Sequence, residues 1–515
     1  MSVKTNEDIQ HAEQLPNLSE KAAKHAGLVD EDVARYADAS TGLEIDAETN
    51  KRLFWKINKR ILVVMLGTYF CQQLDKGTLT LSSIMGIQED AHLVGDQYNW
   101  LGTILYMGIL FGEYPTNLLL QKLPIGKYLA ANVFCWGVVV SCSAAAKNFP
   151  ALMVVRFLLG VFESCVQPTF IIMTAMWYTR EEQSVLTSLW YCMTGVQLMV
   201  GGLIAYGVSH LKDAPIRSWQ LLFMVLGIAT VIWSCFLAWY TPDSPMTAKC
   251  FTEEEKHLMI ARIRHNETGI QNRKYKKYQM LEAFVDPLVW CYVLLQISST
   301  LIIGGLGVFS NLIIANFGFS ILQTQLLNIA QGGVTILVMV GSAWLSQRSG
   351  QTCLVMFVWS LPAIVGTAVL MKIAPNESNS VGLLIAFYCT QFILAEGNMI
   401  FSLIARNVAG QTKKGVTLTI TFVAWAAGNM TSPQIFQSSD KPRYQRGFTA
   451  HLCLYALFNV MVAITWILLS RRNKAKDAAA AIMASQTEAD ESKTSHGLGF
   501  QDLTDQENPD FRYVT

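Results

Sequence analysis

Twelve long apolar stretches, separated by polar turns, set the pattern of this chain. They run approximately over 60–86, 99–121, 127–146, 150–174, 184–210 and 219–241, then over 287–310, 322–346, 353–372, 380–405, 415–437 and 447–470. Each is about as long as the ~20 residues an α-helix needs to cross a hydrocarbon core. A polar break, 242–286, divides six spans from six. The pattern predicts an all-α membrane protein, with twelve transmembrane helices in two six-helix bundles. Its expected organisation is a cytosolic tail 1–56, a bundle 57–241, a cytosolic loop 242–286, a second bundle 287–470 and a cytosolic tail 471–515. Residues 1–50 are acidic, alanine-rich and aperiodic, and read as a disordered tail.

Lysine and arginine flanks set the orientation. The short loops carry similar numbers on both sides and do not decide it. The decisive groups are Lys51, Arg52, Lys56, Lys59 and Arg60 before the first span, the basic central loop (Lys249 to Lys277), and Arg471, Arg472 and Lys474 after the last. With twelve spans all three fall on one side, which is then cytoplasmic, so both termini are expected inside. The opposite loop Gln88–Gln97 is acidic, with Glu89, Asp90 and Asp96, and agrees. No apolar leader precedes the first span and no Lys-Asp-Glu-Leu signal ends the chain, so the plasma membrane is the expected location.

Composition narrows the function classes. Only 15% of residues are charged and the mean hydropathy is +0.31, against about a quarter charged for soluble proteins. A net charge of +1 offers no electrostatic case for nucleic acid. The eleven cysteines lie mostly within apolar spans and match neither a zinc site nor a disulfide framework; they read as small packing residues. The eight histidines are dispersed, so no metal, cofactor or enzymatic activity is expected. Nothing resembles a repeated channel filter loop. Paired halves joined by a cytosolic loop suit a transporter, whose substrate site lies near mid-membrane between them.

Charged groups inside spans are costly, about 3 kcal/mol or more at the bilayer centre, and mark a substrate or ion path by default. In the fourth span Arg156, Gly160 and Glu163 are spaced i, i+4, i+7 and share a helix face. Arg156 and Glu163 lie about 10 Å apart along the axis, so each needs a partner from elsewhere. Arg156 stays protonated and suits a carboxylate; Glu163 can exchange a proton; Gly160 permits close helix approach. In the first span Asp75 and Lys76 interrupt the run beside Gln73 and point about 100° apart. In the second, Glu113 sits near Pro115, which removes a backbone donor and predicts a kink. The second half is sparser, with Glu396 as its lone intramembrane acid and Gln296, Asn311, Asn328, Gln331, Gln391, Asn398 and Asn429 as polar points. Arg156, Lys76, Gln73 and Asn398 are the substrate-binding candidates; Glu163, Glu113, Asp75 and Glu396 are the proton-coupling candidates. The structural alternative for each is an interhelical ion pair or a hydrogen bond of about 1 kcal/mol. Trp100, Tyr106, Tyr178, Trp190 and Trp425 can line a cavity, or sit in interface belts and packing.

Several segments in this order carry a resemblance. They are Leu74-Asp75-Lys76-Gly77-Thr78-Leu79, Gln97-Tyr98-Asn99-Trp100, Glu113-Tyr114-Pro115-Thr116-Asn117, Arg156 to Gly160 with Glu163 and Pro168, and Trp177 to Gln183. Late in the chain come Asn407 to Lys414, Pro442-Arg443-Tyr444 with Gly447, and Leu503-Thr504-Asp505 through Phe511-Arg512-Tyr513. In these the chain resembles the major facilitator superfamily (MFS), and within it the fungal anion:cation symporters related to allantoate permease. The resemblance implies the MFS fold and proton-coupled uptake of a small organic anion such as a ureido acid, vitamin or amino-acid derivative. Its expected partners are that anion, protons and the lipid bilayer, and a monomer is expected. Efflux of a small metabolite is the alternative, and a non-transporting nutrient sensor a more distant one. The chain departs from the superfamily pattern at Lys122-Leu123-Pro124-Ile125-Gly126-Lys127, where the usual Asp-Arg and Gly-Arg pairs are missing; this puts the usual cytoplasmic latch in doubt.

Overall fold

The computed structural model describes residues 45–120, 122–211, 215–264, 276–376, 378–441, 443–487 and 503–515. Most of the tail expected at 1–56 lies outside these residues, as do Arg273, Lys274 and Pro442. Every described element is helical. The spans of the first half are Val63–Ser82, Gln97–Leu120, Ile125–Ser143, Phe149–Trp177, Arg180–Ser209 and Ser218–Tyr240. Those of the second half are Pro287–Ala315, Ile321–Ser349, Thr352–Lys372, Ser380–Asn407, Gln411–Thr431 and a last helix from Gln445 to Thr487. Nine of the described helices are long and apolar enough to cross a membrane by length and composition. The other three are the first, second and eleventh, and these carry Asp75, Lys76, Glu113, Lys413 and Lys414.

Local chemistry sets the helix ends. Asn148 caps the fourth span by accepting from Ala151 N at 3.0 Å, with Pro150 in the first turn where no donor is lost. Asp286 and Pro287 start the seventh in the same way, with Leu288 N at 2.9 Å from the carboxylate. Ser320 and Gln323 form a capping box on the eighth, which ends at Gly350 with φ of 65°. The second span runs as one helix through Pro115, and the tenth changes to a tighter turn at Gln391–Ile393, just before Glu396.

Without a hydrophobic force between helices in lipid, small residues set the close crossings. The second and fourth spans meet at Gly108 and Gly160, where an added Cβ at Gly160 would lie 2.1 Å from the Leu105 carbonyl oxygen. The clash is with backbone, so no rotamer relieves it. Gly160→Val is expected to cost about 1–3 kcal/mol, read as a lower unfolding temperature in detergent; an unchanged temperature would mean the two spans do not pack this closely. The same device joins the two halves. A Cβ at Gly195 of the fifth span would sit 2.6 Å from Gly332 O of the eighth, and one at Gly332 would sit 2.4 Å from Gly195 O.

Hydrogen bonds complete the junction between halves, all toward the end where the first span finishes and the second begins. Thr80 Oγ1 donates to Gly307 O at 2.8 Å, Asn99 Nδ2 to Phe436 O at 2.6 Å and Thr103 Oγ1 to Met430 O at 2.8 Å. Asn311 Nδ2 returns a bond to Thr80 O at 3.1 Å, and Gln325 Nε2 one to Leu81 O at 3.2 Å.

At the opposite end each half is fastened within itself. In the first half Lys56 pairs with Glu255 at 2.6 Å, and Arg262 pairs with Glu182 while donating to Asn50 Oδ1 at 2.6 Å. Where the superfamily latch residues are missing, Lys127 N donates to Asp243 Oδ1 at 3.2 Å, tying the second-to-third turn to the exit of the sixth span. In the second half residues 503–515 fold back onto the bundle. Asp505 is fully buried and lies 2.7 Å from Lys413 Nζ, which also pairs with Asp286 at 2.8 Å and Glu282 at 2.9 Å. Asn407 and Val514 exchange two hydrogen bonds, as do Asn473 and Tyr513. Burial alone would raise the Asp286 pKa, but hydrogen bonds from Arg472 and the charge of Lys413 hold it down at about 2.

Candidate functional site

The first span is the hub of the polar interior. Its adjacent Asp75 and Lys76 diverge, as a helix requires. Asp75 is fully buried inside the first half, where Trp136 Nε1 of the third span donates to Oδ2 at 2.8 Å and Thr230 Oγ1 of the sixth donates at 2.7 Å. Bonds to a charged group are worth about 1.5–3 kcal/mol each, so this carboxylate ties three helices together. Lys76 lies one turn before Thr80, which bonds the seventh span, and so faces the opposite half.

Arg156 and Glu163, too far apart to pair with each other, both find partners on that span. Arg156 Nη2 donates to Thr78 Oγ1 at 3.2 Å, and its guanidinium lies 5.5 Å from the Phe223 ring centroid. It is 2% exposed. Lys76 Nζ stands 3.8 Å from Glu163 Oε2, an ion pair looser than a hydrogen bond. Neither carboxyl oxygen of Glu163 has a hydrogen-bond partner among the described residues. The side chain of Lys76 keeps 19% of its surface and that of Glu163 none. The pair is therefore a buried acid and a partly accessible cation at the border between the halves. Together with Asp75 and Arg156 it makes two formal positive and two formal negative charges, which cancel.

Aromatic rings continue the border. Lys76 Nζ lies 5.8 Å from the Tyr106 ring centroid on the second span. Tyr106 meets Trp425 of the eleventh span edge-on, with centroids 5.7 Å apart, and Phe422 stacks on Trp425 at 5.3 Å. Tyr106 and Trp425 thus touch across the two halves, just inward of the Thr103–Met430 bond.

The remaining candidates lie elsewhere. Gln73 is half-buried one turn before Lys76. Glu113 accepts from Asn117 Nδ2 at 3.3 Å within its own helix, beside Tyr114, which is 73% exposed. Glu396 is fully buried, and neither of its oxygens has a hydrogen-bond partner among the described residues. Gln296 lies against the turn carrying it, with Nε2 3.9 Å from a Cβ placed on Gly397. Asn398 is half-buried two residues beyond Glu396. The sequence reading missed Thr78, Trp136 and Thr230 as partners of the central charges. Trp136 had a visible signal: it continues the buried stripe Val133, Trp136, Gly137 and Val140, and a buried indole N–H needs an acceptor.

Comparison with known proteins supplies context for this arrangement. Residues 65–433 match the family model described as Major Facilitator Superfamily. The chain is 32% identical to the thiamine pathway transporter THI73 of Saccharomyces cerevisiae, over 95% of this chain and 92% of that protein. It is 30% identical to the allantoate permease of the same yeast, over 99% of this chain and 95% of that protein. Among solved structures, the D-xylose-proton symporter superposes with a TM-score of 0.60 at 15% identity, covering 79% of this chain and 97% of that one; at that identity the likeness speaks for the fold alone.

Proposed function

The chain belongs to the major facilitator superfamily, and on that premise we propose that it carries a small organic anion into the cell together with a proton, by alternating access. The observation that carries this reading is the loose Lys76–Glu163 pair, set at the border of the halves within a charge set that already cancels. An anion arriving at Lys76 draws the ammonium from Glu163 and adds one negative charge to a buried site. A proton on Glu163 restores the balance, and the substrate and proton then move as a neutral load. Arg156, held by Thr78, supplies fixed positive potential behind Lys76, and Asp75 holds the first span to its bundle. Glu396, buried with no ion-pair partner among the described residues, is a second proton-holding candidate in the other half.

We place both termini in the cytoplasm of a plasma-membrane protein, which puts the hydrogen-bonded junction on the outer side. Turnover then requires the bonds of Thr80, Asn99 and Thr103 to break while the inner ends of the second and eleventh spans approach. A substrate promotes this only by binding one state better than the other. In proteoliposomes holding the purified protein, an inward proton gradient is expected to drive labelled carboxylates above their external concentration, and a protonophore to abolish the excess. Accumulation indifferent to the protonophore would overturn proton coupling.

A further inference from the structure

Building on the anion-carrier reading, we infer that the substrate bears a flat unsaturated group within about one ring's width of its carboxylate, and that Tyr106, Trp425 and Phe422 form the subsite that receives it. The first observation is position. Lys76 is the accessible cation of the central charge set, and the ring next to its ammonium is Tyr106, at 5.8 Å. A carboxylate that takes Lys76 therefore brings the body of its molecule against this ring and the two beyond it.

The second observation is the form of the wall. Trp425 and Phe422 stack on one another, their planes 24° apart, and Tyr106 meets Trp425 edge-on at 75°, so a ligand meets the ring faces and edges that lie outside these contacts. All three rings are only partly buried. Such faces favour a planar π-group, by stacking or by edge contact, over a puckered saturated body of equal size. The third observation is that the wall spans both halves, with Tyr106 from the first and Trp425 and Phe422 from the second. A flat group lodged there touches the elements that must part, so its contacts differ between the inward and outward states, as a transported substrate requires.

The test uses two probe acids with the same carbon count, benzoate and cyclohexanecarboxylate, and measures their binding to purified protein by calorimetry. Benzoate is expected to bind about three- to tenfold more tightly, the ratio an aromatic contact supplies. Trp425→Leu is expected to remove the difference by weakening benzoate alone, and Trp425→Phe to keep most of it. Lys76→Gln serves as the second axis and is expected to weaken both acids alike. Equal affinities for the wild-type protein, or an unchanged ratio in Trp425→Leu, would overturn the flat-group subsite while leaving the anion site intact, provided both acids still depend on Lys76. Binding of both acids that ignores Lys76→Gln would instead overturn the anion reading on which the subsite rests.

Discussion

Glu163→Gln is expected to abolish uphill accumulation of the anion while leaving exchange of labelled for unlabelled anion across the membrane in place. The side chain is fully buried, its oxygens have no hydrogen-bond donor among the described residues, and Lys76 at 3.8 Å is the cation paired with it. Glutamine keeps the shape but cannot carry a proton, and it frees Lys76 to hold the anion in every state. The loss should reach the full gradient-driven excess, because a carrier that no longer moves protons can only equilibrate its substrate. Asp75→Asn gives the contrasting expectation. Its amide still accepts from Trp136 or Thr230, so a partial loss is expected through a looser first span rather than through uncoupling. Both variants are read in proteoliposomes at external pH from about 5 to 8. A Glu163→Gln protein that still concentrates the anion in a pH-dependent way would remove Glu163 from the mechanism.

The second large effect concerns stability. Lys413→Met is expected to lower the unfolding free energy by about 3–5 kcal/mol, the usual cost of stripping one partner from a buried ionic network. Lys413 has no exposed side-chain surface and faces Glu282, Asp286 and Asp505, whereas Arg472 is the further cation against Asp286 and Asp505. Removing Lys413 leaves two buried carboxylates to share one partly exposed guanidinium. Deleting residues 503–515 should cost less, since Lys413 keeps Asp286 and Glu282. The pH dependence follows from Asp286, whose folded pKa of about 2 lies below its unfolded value of about 3.9. Its contribution is therefore fully present above the unfolded value and is lost as pH falls through about 2. Across the range where transport is expected to respond to pH, this joint should be flat. Unfolding temperatures of wild-type and Lys413→Met protein measured in that range should thus differ by a constant. A difference that shrinks between neutral pH and about pH 5 would contradict the assignment.

What could be read from the sequence follows from the range of each interaction. The twelve spans depend on runs of apolar residues, and the structure places a helix at each. The divergence of Asp75 from Lys76, and the need of Arg156 and Glu163 for outside partners, depend on the 100° turn per residue and were equally legible. Which partners they find was not, because Thr78, Trp136 and Thr230 are brought in by helix packing. Arg156 stood out in the sequence as the natural anion contact; the structure buries it at 2% exposure and turns Lys76 toward the other half. Nothing local distinguishes those two outcomes. The docking of Asp505 on Lys413 and Arg472 was hidden for the same reason: the residues are far apart in the chain and carry no shared pattern, although Leu503 to Tyr513 had already stood out as a motif.

Most bonds across the junction between the halves run from side-chain donors to main-chain carbonyls, with the Asp96 carboxylate, which accepts from Ser438 N at 3.0 Å, as a charged member, and among the described residues no ion pair crosses between the halves. Dissolved salt therefore has few charges there to screen, and the junction is expected to depend only weakly on ionic strength. The acceptor positions Gly307, Met430 and Phe436 contribute only their peptide oxygen to these bonds. A side chain added at Gly307 would meet open space and can vary without touching its bond, whereas Phe436 is fixed by its own packing against Phe309, Tyr444 and His451.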